Sequence, residues 1–114
     1  MEENQEHYNE EDEVTKESNL RIDRDQENQK CATFHFSGED HTLGNALRHV
    51  LIGKKDVDFC GYSVPHPSER AMNVRLQTTL RPANEVLKSG LNDLTKIMDH
   101  IAETFDNEIM SFDQ

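Results

Sequence analysis

The chain predicts an α+β domain: an antiparallel sheet of three to four strands with two helices, the C-terminal one long and overhanging. Three observations lead there. Side chains alternate apolar and polar in the stretches 31–37, 57–64 and 72–80, the period of a half-buried strand. Leu43, Ala46, Leu47, Val50 and Leu51 form one stripe on a 3.6-residue period, the mark of an amphipathic helix. Leu87, Leu91, Leu94, Met98, Ile101 and Phe105 then recur at alternating spacings of four and three residues, a heptad seam.

The domain is expected to begin at residue 19. Residues 1–18 are acid-rich, with Val14 as their only aliphatic side chain. Such a segment buries too little apolar surface to offset its ordering entropy, so a disordered acidic tail is predicted. Leu20 to Ile22 reads as a short strand, and the polar run Asp23 to Lys30 as a loop. In the strand Cys31 to Ser37, Ala32, Phe34 and Phe36 share one face. Gly38 breaks it.

The first helix opens with Thr42 as the expected N-cap, behind Glu39 and Asp40, whose charge suits a helix N-terminus. Gly53 is its expected stop. Gly44 is unusual there, because glycine in a first turn costs about 1 kcal/mol against alanine. Two readings fit it: a poorly optimised helix start, or a place where another backbone comes close. Lys54 to Asp56 makes a polar turn into the strand Val57 to Val64, with Val57 and Phe59 expected on one face. Pro65 to Glu69 cannot continue it, since two prolines lack the ladder N–H. Met72, Val74, Leu76, Thr78 and Leu80 alternate in a further strand, expected antiparallel to the one before.

Pro82 is placed at the first position of a second helix that runs to about Phe112, with Gly90 inside it. Ile109 and Phe112 continue the seam with a one-residue slip, and Val86, Ile97 and Ile101 widen it. At 1.5 Å per residue this helix is about 45 Å long, whereas a compact domain of about 85 residues is roughly 30 Å across. The seam therefore runs past its own sheet. Either a partner chain covers the overhang, or the end frays or bends.

Composition excludes several functions. The net charge is −11, with 11 acids against 3 bases in residues 1–29 (−8) and 12 against 9 in residues 30–114 (−3). No basic stripe is present to grip a phosphate backbone, so direct nucleic-acid binding is not expected. Nor is there an apolar run of membrane-spanning or signal-peptide type. Cys31 and Cys60 make neither a disulfide framework nor a zinc quartet, which suits a reducing compartment.

The histidines do not assemble into a metal or catalytic motif. His41 and His49 share a helix but stand about 12 Å apart, two turns. No catalytic residue, metal or cofactor is expected; the histidines read as surface or hydrogen-bonding groups. His41 and Asn45, four residues apart, read with Asp40 and Thr42 as a structural polar cluster at the helix start.

An ordered set of motifs carries a resemblance. Phe34-x-Phe36 leads to Glu39-Asp40-His41-Thr42-Leu43-Gly44-Asn45; Val57-x-Phe59-Cys60-Gly61-Tyr62, His66-Pro67-Ser68-Glu69 and Val74-Arg75-Leu76-Gln77-Thr78 follow, before the long helix. The set resembles the small α-like subunits of eukaryotic and archaeal RNA polymerases. Phe59 to Tyr62 and His66 to Glu69 are more similar to the subunit shared by RNA polymerases I and III than to the polymerase II counterpart. The resemblance covers about Leu20 to Phe112.

It implies the α-subunit N-terminal-like dimerisation fold, with both helices on one face of the sheet, and a non-catalytic role. That role is heterodimerisation with the larger α-like subunit, building the platform for the two largest subunits, in the nucleus and nucleolus. Thr42, Leu43, Gly44, Asn45, Leu47, Arg48, Leu51, Leu87, Leu91, Leu94, Met98, Ile101 and Phe105 are its expected partner-binding residues. Two other identities are kept: a generic adaptor whose long helix makes a homomeric coiled coil, and the equivalent subunit of RNA polymerase II.

Overall fold

The computed structural model describes residues 19–113; the expectation for residues 1–18 lies outside them. Six elements follow in order: β1 (Leu20–Arg24), β2 (Cys31–Ser37), α1 (His41–Ile52), β3 (Val57–Ser63), β4 (Ala71–Thr78) and α2 (Ala83–Phe112). The strands form one antiparallel sheet in the order β1-β2-β4-β3. Both helices lie over one face. β1 is two residues longer than expected, and β4 ends at Thr78 rather than Leu80, which is exposed.

The core forms between that face and the helices. Ala32, Phe34, Met72, Val74, Leu76 and Cys60 come up from the sheet; Leu47, Leu51, Ala83, Val86 and Leu87 come down from the helices. Burial pushes the Cys60 thiol pKa up, so this sulfur is an inert core group. The opposite face carries half-buried Thr33, His35, Asn73, Arg75 and Gln77.

Three local expectations change. The cap of α1 is Asp40, not Thr42. Asp40 is extended, and its Oδ1 accepts the Thr42 backbone N–H at 3.0 Å, while its carbonyl accepts from Gly44 N. That N–H bond is the main influence holding the Asp40 carboxyl below the usual range. Pro82 sits one residue earlier than expected, at the N-cap of α2, where its carbonyl accepts from Glu85 N and Val86 N. Val57 and Phe59 do not share a face. A bulge at Asp58 sets two residues of β3 against one of β4, so Phe59 pairs with Gln77 and turns outward while Cys60 enters the core opposite Leu76.

Loops are tied by charge. Arg81 Nε donates to Asp56 Oδ2 at 2.8 Å and Nη2 to Oδ1 at 3.3 Å, joining the turn before β3 to the entrance of α2. Lys54, just past α1, donates to Ser89 Oγ and Asp93 Oδ2 on α2. These contacts fix where α2 starts and how it leaves the domain, while Gly38, with a φ of +81°, turns the chain out of β2 towards α1.

Candidate dimerisation surface

The heptad spacing that makes one seam in sequence makes two surfaces in space. At its start α2 lies on the core: Ala83, Val86, Leu87 and Gly90 are buried, and Leu91 and Leu94 half-buried. Beyond them the sheet ends. Strands of seven or eight residues reach about 25 Å, whereas a 30-residue helix runs about 45 Å. The continuing seam is uncovered: Met98, Ile97 and Ile109 are exposed, Ile101 is 56% exposed, Phe105 63% and Phe112 86%. A row of large side chains this exposed is the mark of an unfilled contact surface.

The expected partner-binding residues divide accordingly. Met98, Ile101 and Phe105 stand on the overhang, and Leu94 at its root. Thr42, Asn45 and Arg48 are exposed on the outer side of α1, joined there by His49 and Ile52. Leu47, Leu51 and Leu87 belong to the chain's own core, with Leu47 and Leu51 at 0% exposure, and Leu43 and Leu91 are half-buried against it. Leu47, Leu51 and Leu87 complete the domain and have little or no surface to offer a second molecule, while Leu43 and Leu91 keep part of theirs. A stripe of leucines reads the same in sequence whether it faces the home sheet or another chain.

Gly44 is corrected in the same way. It is buried, and a side-chain carbon placed there would lie 2.6 Å from Cδ2 and Cε2 of Tyr62. The glycine admits the Tyr62 ring of its own β3, not a foreign backbone. The Tyr62 hydroxyl reaches His41 Nδ1 at 3.0 Å, and the rings meet edge to face. The close helix approach is made instead at Gly90, where an added carbon would lie 2.5 Å from Leu51 Cδ2. Its signal was available: a glycine inside a long helix, two turns from its start.

Ile97, Ile109, Phe112 and Met110 extend the exposed set beyond the expected residues. Ile97, Ile109 and Phe112 were legible from the same periodicity; Met110 lies off the stripe and had no signal.

Two histidines, His41 on Tyr62 and His35, hold structure. His35 is clasped between Asn73 Oδ1 and Asp23 Oδ2 on the open sheet face. Among the described residues no group of His, Cys, Asp and Glu is placed to hold a metal ion, and no helix is long and apolar enough to cross a membrane.

Comparison with known proteins agrees with this geometry. Residues 31–104 match the family model described as RNA polymerase Rpb3/Rpb11 dimerisation domain. The chain is 48% identical over 83 residues to "DNA-directed RNA polymerases I and III subunit RPAC2" of Danio rerio, covering 72% of this chain and 74% of the relative. It is 55% identical over 80 residues to the "DNA-directed RNA polymerases I and III subunit rpc19" of Dictyostelium discoideum, covering 69% of each. The crystal structure of DNA-directed RNA polymerase subunit L from Thermoplasma acidophilum superposes with a TM-score of 0.70, over 82% of this chain and 91% of that one; at 18% identity it speaks for the fold. A sheet with both helices on one face, an uncovered helical seam and relatives this similar lead to one conclusion: the chain belongs to the RNA polymerase Rpb3/Rpb11 dimerisation-domain family, on the branch of the small subunit shared by RNA polymerases I and III.

Proposed function

We propose that this chain is a non-catalytic assembly subunit of RNA polymerases I and III. It pairs with the larger α-like subunit, and the pair forms the platform on which the two largest subunits assemble. It acts in the nucleus, including the nucleolus, where ribosomal and small structured RNAs are transcribed. Catalysis and its metal belong to the large subunits.

The observation that carries this reading is the overhang. Ile97, Met98, Ile101, Phe105 and Ile109 line a helix that has left its own core, with no sheet beneath them. Covering such a row with another apolar face returns about 25 cal/mol for each Å² removed from water. The outer side of α1 stands on the same layer of the molecule and is the natural second contact. The names of the relatives favour polymerases I and III over polymerase II.

Co-expression with the larger α-like subunit, followed by mass measurement, tests the reading. A one-to-one complex is expected, in place of an aggregating or unstable single chain. A stable homodimer that ignores the larger subunit would instead establish the homomeric coiled-coil adaptor.

A further inference from the structure

The seam on the overhang is not wholly apolar. Continuing the heptad spacing three residues past Phe105 gives position 108, and that residue is Glu108. The one-residue slip to Ile109 runs around this acid. Phe105, Glu108, Ile109, Ser111 and Phe112 line one shallow groove at the end of α2, so the carboxylate stands among apolar side chains on the surface a partner would cover. From Ile97 to Gln114 the sequence holds Asp99, Glu103, Asp106, Glu108 and Asp113, and neither lysine nor arginine. The last turn of α2 has no base to answer the negative end of its dipole.

We propose that the partner seated on the α2 seam presents a lysine or arginine opposite Glu108, and that this acid selects that partner over a second copy of the chain. This rests on the seam being the dimerisation surface. Closing any chain over the groove takes the Glu108 carboxylate out of water, and a buried charge without a partner strongly destabilises a complex. The overhang of a second copy, from Ile97 onward, has no lysine or arginine to offer. Laid parallel, it sets Glu108 against Glu108; laid antiparallel, it sets the carboxylate against apolar side chains. A partner with a guanidinium or ammonium at that place satisfies the carboxylate and the negative helix end together. The acid thus acts as a repulsive element against self-pairing and an attractive one towards a cationic partner.

The test uses the full chain with the larger α-like subunit, and the chain alone. Ile101→Asp, Glu108→Lys, Glu108→Gln and Glu108→Leu are compared by partner affinity, its salt dependence and the mass of the chain alone. Glu108 is exposed on the overhang, so all three of its variants should keep the parent melting temperature. Glu108→Lys should weaken the heterodimer about 30-fold or more, the usual cost of unpairing a charge at a covered interface. Glu108→Gln should weaken it less and flatten its salt dependence. Glu108→Leu should form homodimers at concentrations where the parent chain does not. Partner binding abolished by Ile101→Asp but unmoved by Glu108→Lys would leave the seam standing and overturn the cation. Binding unmoved by Ile101→Asp as well would remove the seam reading and this inference with it.

Discussion

Gly90 stands where any side chain would strike Leu51. A carbon added at position 90 would lie 2.5 Å from Leu51 Cδ2 and 3.1 Å from its Cγ. Leu51 is fully buried and has little room to give. The crossing of α1 and α2 is set by this contact, together with the Lys54 bonds to Ser89, the residue before Gly90, and to Asp93, three residues after it. The angle at which the seam leaves the domain therefore depends on a residue that takes no part in the seam.

The Gly90→Ala variant should accordingly be less stable, although alanine is the better helix former by about 1 kcal/mol. Overpacking a filled core costs about 1–3 kcal/mol, so a net loss of about 1 kcal/mol is expected in a denaturant titration. Leu51→Ala should lose about 2–5 kcal/mol alone. The double variant should lose less than the sum, with a coupling of at least about 0.5 kcal/mol. Additive losses would mean that the two residues do not share the space.

Gly44 gives a parallel case with a different partner. Placing alanine there drives a carbon to 2.6 Å from the Tyr62 ring. The loss should show in the free chain as a lower melting temperature, before any partner is added. Tyr62→Ala in the same chain should remove most of the penalty of Gly44→Ala. A penalty seen only as weaker partner binding would return Gly44 to the interface.

Much of this fold was legible because its signals are local. The alternation in 31–37 and 72–80 and the heptad spacing of α2 depend on neighbours in sequence alone. What was not legible is what non-local contacts decide. The central pairing of β2 with β4 joins Phe34 to Val74 across the whole of α1 and β3, and no pattern within either strand announces it. The bulge at Asp58 is a single extra residue that reverses Phe59 and Cys60, and strict alternation cannot foresee it. The candidate surface was half legible: Met98, Ile101 and Phe105 are exposed, while Leu47, Leu51 and Leu87 went into the core. Periodicity identifies a stripe, and only the end of the sheet decides which part of it is covered.

That division predicts two classes of mutant. Ile101→Asp places a charge on an exposed position of the overhang, so the free chain should keep its melting temperature within the range of a surface substitution, about 0.5 kcal/mol. Partner binding should be lost, because closure would bury an unpaired charge. Leu47→Ala should do the reverse: a loss of about 2–5 kcal/mol in folding, with partner affinity changed only through the unfolded fraction. Denaturant titration beside partner titration separates the two. Equal effects of both variants on both measurements would dissolve the boundary drawn at Leu94.

The last prediction concerns acid. Asp56 is buried and accepts two bonds from Arg81, and the hydrogen bond from that guanidinium is the main cause holding its carboxyl below the usual value. The sign follows from linkage. A carboxyl whose folded pKa is depressed binds its proton more readily unfolded, so its contribution is fully present above the unfolded value, about 3.9. It is lost as pH falls through the lower folded value. Asp93, whose carboxyl Lys54 lowers chiefly through its hydrogen bond, acts in the same direction and the same window. Melting temperature should therefore be insensitive to these two groups near neutrality and should fall below about pH 4. Asp56→Asn removes the charge but keeps the shape. It should lower stability at pH 7 and shrink the further loss on acidification, bringing the two profiles together in strong acid. The Asp56–Arg81 clamp would be dismissed as a source of stability by profiles that stay parallel throughout.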